Sequence, residues 1–311
     1  MGVRMKRRIV RLALALPLAV SAWLPTSVAW AADPPFVGWS AVMPALTYHY
    51  NPNSLDDCVA GRVQCVQKTI RVMQNRFGPL AASCSHHAVF ALAYLRTTQT
   101  YLTYTQTPGF LSDPTFVNHE DAAFGQMYFS ARDNWAAGRI NRVPPAWRIA
   151  LRAADTRQVA GEGDLLLGMN AHVNRDLPFV LAGIGLTTPD GRSRKPDHDQ
   201  INIVLNHVVQ PLVDEEAARF DPQMAVMPTP YGVGYTGLMQ TLLAWRETAW
   251  REAEQLVSAP DAAARDVVAQ QIEDYAAANA RTLVTANAYQ PPVTNTAARD
   301  AYCAAHGNPV S

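Results

Sequence analysis

The chain has 311 residues, 49% of them apolar, with 26 basic side chains against 26 acidic ones. That length and apolarity suffice for a substantial core in one large domain. Five of the basic residues (Arg4, Lys6, Arg7, Arg8 and Arg11) stand at the extreme N-terminus, and without them the balance is 21 against 26, or −5. With no extended basic run further along, a protein that coats duplex nucleic acid through clustered Lys and Arg is excluded.

The opening MGVRMKRR, the apolar IVRLALALPLAVSAWL and the small-residue SVAWAA follow the order of a secretory signal peptide, so residues 1–31 are expected to be a removed address. The predicted mature protein, residues 32–311, is secreted, extracellular or periplasmic. No later window approaches the roughly 18 uninterrupted apolar residues of a membrane span. Residues 33–54 read as irregular and aromatic. A first helix is predicted over 56–76, ended by Gly78 and Pro79, and a second over 85–105, ended by Pro108 and Gly109.

After Ser112-Asp113-Pro114 a third helix runs to Gly138, with Glu120 and Asp121 near its positive end. Pro144 and Pro145 start a short helix. Next comes a helix over 163–182, a Gly/Thr/Pro/Asp loop over 183–197, and a helix from Asp199, taken as its N-cap, to Phe220. A turn-rich stretch at 228–237 precedes two long polar helices, 238–257 and 261–287. There, pairs such as Arg246, Glu247, Arg251 and Glu252 read as a solvated face. The tail beyond Pro291 reads as loop. Strand signals are sparse, so the fold class is all-α: a single-domain helical bundle with long surface helices near the C-terminus.

All four cysteines lie beyond the leader, and an even count in an oxidising compartment reads as two disulfides. Of the three pairings, Cys58 with Cys65 closes a small loop and Cys84 with Cys303 ties the tail to the body.

The stretch G-M-N-A-H-V-N-R-D-L-P, residues 168–178, puts five polar side chains into one of the most apolar windows of the chain. His172 and Asp176 fall on one side of a helix at i and i+4, and Asn170 and Asn174 form a second such pair. Asn202 and Asn206 repeat the amide pair, and Asp121, Tyr128 and Arg132 share a stripe. Such stripes are expected to meet in a buried polar centre, where helical bundles build their sites. Three readings stay open for His172 and Asp176. They are ligands of a divalent metal, zinc or manganese, with Asp121 and Asp199 as further ligands. Alternatively they are a metal-free acid–base pair, or a structural hydrogen-bond network that fixes helix register. His86, His87, His119 and Glu120 read as core or capping residues, and His49 and His306 as loop residues.

G-x-S-x-G, G-x-x-x-x-G-K-[ST] and H-E-x-x-H do not occur, and no G-x-G-x-x-G follows a predicted strand. The segment 168–178 resembles the hallmark G-M-N-A-H-I-N-x-D-L-P of an uncharacterised, mainly actinobacterial domain-of-unknown-function family, and the likeness covers roughly residues 80–220. That family implies no activity. Leu167-Gly168 with His172-x-x-x-Asp176 also resembles, more distantly, the core-helix segment of the zinc-dependent phospholipase C and S1/P1 nuclease phosphoesterases. A following P-x-H and an H-x-x-x-E are both missing, so a three-zinc site does not carry over. The expectation drawn is a metal-assisted hydrolase of phosphoester or related ester substrates. In it His172, Asp176 and Arg175 are catalytic, Arg132 or Arg175 offsets substrate charge, and Asn170, Asn174, Tyr128, Asn202 and Asn206 contact a small-molecule substrate. The alternatives are a non-catalytic secreted small-molecule-binding protein, and a structural network with no site. The oligomeric state is open.

Overall fold

Helix α1, Val63–Ala82, begins seven residues later than the sequence reading and runs through Gly78 and Pro79. The acids that read as its first turn build a turn of their own. Asp56 Oδ1 accepts the backbone N–H groups of Cys58 (2.8 Å) and Val59 (3.1 Å), and the Cys58–Cys65 disulfide closes the loop. Gly61, at φ +66°, is required there: a Cβ would stand 1.7 Å from the carbonyl oxygen of Thr115.

The computed structural model describes residues 49–226 and 233–307, so the expected leader and the 227–232 part of the turn-rich stretch lie outside the described residues. Helix α2 spans His87–Thr105 and α3 Pro114–Ala136. Asp113 caps α3 by accepting from Phe116 N at 3.1 Å, and Pro114 occupies the first turn, where its missing N–H costs nothing. Helix α4 is Pro145–Asp155 and α5 is Gly161–Asn170. The chain then underwinds into a π turn, Ala171–Asp176, and resumes as α6, Leu177–Ile184. The predicted 163–182 helix is therefore continuous but not uniformly α.

Helix α7, Lys195–Arg219, starts with Pro196 in its first turn, four residues ahead of the expected start. Asp199 is accordingly inside the helix and not its N-cap. Asp197 meets backbone donors instead, taking Ser112 N (2.7 Å) and Asp113 N (2.9 Å). Helices α8, Val233–Ser258, and α9, Ala262–Ala286, follow, the latter capped by Asp261. The tail is helical too: α10, Thr296–His306, is capped by Asn295 Oδ1 accepting from Ala298 N at 2.9 Å. The loop reading of this segment is corrected, and His306 with it.

Among the described residues there is no strand, only two isolated bridges, Val159 with Ala288 and Thr187 with Ser193. All of these residues belong to one compact unit, Pro34–Ser311. Both disulfides have the expected pairing, with Cα atoms 5.0 Å apart for Cys58–Cys65 and 5.8 Å for Cys84–Cys303. The second anchors α10 beside the start of α2. Helix α2 packs on α1 and α7, α4 on α9, and α6 on α8, so that the π turn comes to lie against α3, α4, α8 and α9. Its six residues are all buried.

Candidate functional site

Burial of the π turn dictates its chemistry, because each buried polar group needs a partner. Asp176, 0% exposed, is surrounded by donors: Trp147 Nε1–H reaches Oδ2 at 2.8 Å, Arg175 Nη1 reaches Oδ1 at 3.0 Å, and His172 Nδ1 lies 3.1 Å from Oδ2. Asp176 offers only acceptors to these donors, so the His172 proton belongs on Nδ1 and Nε2 carries the lone pair. Arg175 also meets Glu273 of α9 at 2.9 Å. Asn174 Nδ2 donates to Asn170 Oδ1, and Asn170 Nδ2 donates to the carbonyl of Ala276, both at 2.9 Å. The two asparagines therefore tie the turn to α9.

The His172 ring is boxed by aromatics. Phe124 of α3 stacks on it, centroids 3.5 Å apart and planes within 5°, and Tyr94 of α2 stands edge-on at 4.5 Å. Phe90 adds an edge at 5.9 Å. Phe90 can approach because residue 168 is glycine: a Cβ there would fall 2.3 Å from Phe90 Cγ. Burial holds the imidazole below its ordinary pKa, and the Asp176 hydrogen bond only partly counters it, so the ring is neutral near pH 7.

Beyond this box lies a cavity of about 130 Å³, walled by aromatic and threonine side chains of α2 and by aliphatic side chains of α7, including Leu205, Val208 and Leu212. Tyr94, Asp121 and His172 share its lining, and each keeps one buried polar atom without a hydrogen-bond partner among the described residues: the Tyr94 hydroxyl, Asp121 Oδ2 and His172 Nε2. Glu120 and Arg246 line it as well. Burial pushes Asp121 up to about 7, aided by the charge of Glu120, and burial pushes Glu120 up to about 7 against the pull of Arg246 and Arg194. Burial and the nearby carboxyls of Asp121 and Asp176 push the Tyr94 hydroxyl well above its usual range. The cavity thus holds a neutral base, a hydroxyl donor and a carboxyl that exchanges its proton near neutrality.

The expected site residues divide accordingly. His172 and Asp121 meet at the cavity, and Asp176 stands behind His172. Arg175 is occupied by Asp176 and Glu273 and does not line the cavity. Tyr128 and Arg132 line a separate small cleft of about 20 Å³ with His86, His87 and Trp147. Asp199 sits near the surface in an ion pair with Lys195 at 2.8 Å. Asn202 supports Arg246, accepting from its Nε at 2.7 Å, and Asn206 is exposed. Among the described residues no three His, Cys, Asp or Glu side chains are arranged to hold one metal ion.

His86 donates within a buried pair to Asp164 at 2.6 Å, His87 pairs with Asp155 at 2.6 Å, and His119 Nδ1 meets the Cys58 carbonyl at 2.8 Å. Their structural readings fit these contacts. Glu120 and Arg246 do not fit theirs. Arg246 is only 6% exposed, and the solvated-face reading is corrected for it, though Glu247 and Arg251 do form an exposed pair. The overlooked signal was spacing: Arg246 falls four residues after Leu242 and four before Trp250, on the stripe that the helix buries.

Fold and site together define an all-α bundle whose underwound central turn offers an oriented imidazole to a polar-ended, apolar cavity. Residues 66–286 match the family described as "Family of unknown function (DUF5995)", and the chain belongs to that family. No curated protein and no solved structure matches it.

Proposed function

We propose that the protein is exported and binds a small, largely apolar molecule in the central cavity, holding that molecule's polar group among His172, Tyr94 and Asp121. The carrying observation is that three residues lining one apolar space each hold a buried polar atom without a partner among the described residues. Each such atom costs about 1–3 kcal/mol when left without a partner, so a hydroxyl or carbonyl that satisfied them would be strongly favoured there. The volume sets the scale: an engineered cavity of about 150 Å³ accepts benzene, and about 130 Å³ suits a single ring or a short aliphatic chain. The two disulfides and the lack of any membrane-spanning helix among the described residues are compatible with export.

The test is thermal stabilisation of the full chain by phenol, benzyl alcohol and toluene. Ligand saturation raises stability by RT ln(1 + [L]/Kd). The hydroxylated rings should raise Tm more than toluene does, and His172→Gln should erase the difference. No shift with any of the three would refute the reading.

A second reading, acid–base catalysis without metal, is favoured by the Asp176–His172 alignment. His172 Nε2 would take a proton from water as its oxygen attacks an ester carbonyl, and the Asp121 carboxyl would protonate the leaving alkoxide. Hydrolysis of small acyl esters, lost in His172→Gln, tests it. Metal-assisted hydrolysis is the competing account: stoichiometric zinc or manganese in native protein, lost in both His172→Ala and Asp121→Asn, would establish it.

A further inference from the structure

The lining of the same cavity also carries a charge, the guanidinium of Arg246. Arg246, on α8, is held by two neutral acceptors: its Nε donates to Asn202 Oδ1 at 2.7 Å and its Nη2 to the His198 carbonyl at 2.5 Å. Among the described residues no hydrogen bond engages its Nη1, and no carboxylate lies within ion-pair distance. The acids whose charge reaches it are Glu120 and Asp199, and Asp199 is already paired with Lys195. A buried cation is ordinarily paired, because its desolvation is otherwise uncompensated. This one lies in the lining of an apolar space, held by Asn202 and the His198 carbonyl. Burial has lowered its pKa to about 10, which leaves it charged at neutrality.

Resting on the cavity-binding reading above, we propose that the ligand is a small apolar monocarboxylate, its carboxylate seated on the free Nη1 of Arg246 and its hydrocarbon body against Leu205, Val208 and Leu242. One charge suits the site better than two. Among the described residues Arg246 is the single cation of the lining, and Glu120 and Asp121 share the space, so a dianionic phosphate would bring an uncompensated second charge. Near pH 6 both carboxyls, with pKa about 7, are largely protonated and add hydrogen-bond donors rather than repulsion. The anion therefore meets a guanidinium and two carboxylic acid O–H groups.

The experiment compares acids with alcohols of the same skeleton, benzoate against benzyl alcohol and hexanoate against hexan-1-ol, by calorimetric titration of the full chain at pH 6. The acids should bind at least tenfold tighter. Arg246→Gln should abolish that preference while alcohol binding survives, and Arg246→Lys should keep part of it. The wild-type comparison needs no variant, so a folding defect in either mutant does not shield the proposal. If acid and alcohol bind equally, or if Arg246→Gln retains the preference, the carboxylate assignment is overturned while the cavity reading stands. If neither class binds, both fall.

Discussion

Replacing Asp176 probes the arrangement that orients His172. In Asp176→Ala three donors lose their acceptor at a fully buried position: Trp147 Nε1–H, His172 Nδ1–H and Arg175 Nη1. Arg175 keeps Glu273, so its charge is not abandoned. The two neutral N–H groups have no alternative partner among the described residues. Each orphaned donor costs about 1–3 kcal/mol, and breaking a buried ion pair on one side costs about 3–5 kcal/mol; with Glu273 retained, the total expected is about 3–5 kcal/mol. At about 2–4 °C per kcal/mol for a chain approaching this size, Tm falls by roughly 10 °C. Asp176→Asn keeps one acceptor for Trp147 or His172 but turns an NH2 toward a donor, and should lose about half as much. Differential scanning calorimetry at pH 7, with Trp emission as a second probe, gives both values. An alanine variant melting within about 1 °C of the wild type would refute the claim that Asp176 is the hub of the network.

Three further outcomes follow from particular contacts. Gly168→Ala drives a methyl into Phe90, at 2.3 Å from Cγ. Overpacking of this kind costs about 1–3 kcal/mol, so a lowered urea midpoint is expected, with altered ligand binding because Phe90 also lines the cavity. The Cys84–Cys303 disulfide spans 219 residues and Cys58–Cys65 spans 7; in the chain-entropy model their removal costs about 5 and about 2 kcal/mol. Paired serine variants should destabilise in that order in urea titrations, and the reverse order would count against the loop-closure account. Finally, Asp121 and Glu120 have folded pKa values of about 7, above their unfolded ones. The native state therefore holds protons that the unfolded state has released, and stability present near pH 4 is lost as pH rises through 7. The buried histidines lowered by desolvation, His172 and His198, act in the other sense but only below their unfolded pKa of about 6.5. Stability should thus fall between about pH 6.5 and 7.5 and level off above, and Asp121→Asn should shallow that slope by up to about 1 kcal/mol per pH unit. An unchanged slope would show that Asp121 ionises freely.

Helix content, the order of the elements and both disulfides were legible because periodicity, cap residues and cysteine spacing are local signals. The α10 helix was legible in principle, since Asn295 and Gly307 bracket an alanine-rich stretch, but eleven residues without a strong apolar face yield little to periodicity alone. The start of α1 was misread because Asp56 serves an Asx turn as readily as a helix terminus. The anomaly of polar residues in an apolar window pointed to His172, Asp121 and Asp176. It could not separate those facing the cavity from Asn170, Asn174 and Arg175, which turn toward α9, because 100° per residue does not hold through a π turn. Arg246 reads as solvated because charges are ordinarily assigned to water, and Glu120 as a cap because it stands near a helix start, although both stand at helical spacing from buried apolar neighbours.

The π turn also sets the phase of everything after it. Upstream, Leu165, Leu167 and Ala171 belong to the largest apolar cluster. Downstream, Phe179 and Val180 serve a second cluster, and Leu177 and Leu181 a third, facing Trp250. Underwinding lets one continuous rod take up an extra residue without losing the phase of either flank, with the seam between the cores filled by side chains that hydrogen-bond instead of merely packing. Deleting a single residue such as Val173 would let the stretch rewind as regular helix with both flanks near their present register, whereas a deletion within α6 itself would swing its contacts about 100° away from their partners, so a change of length is expected to be tolerated only at the turn.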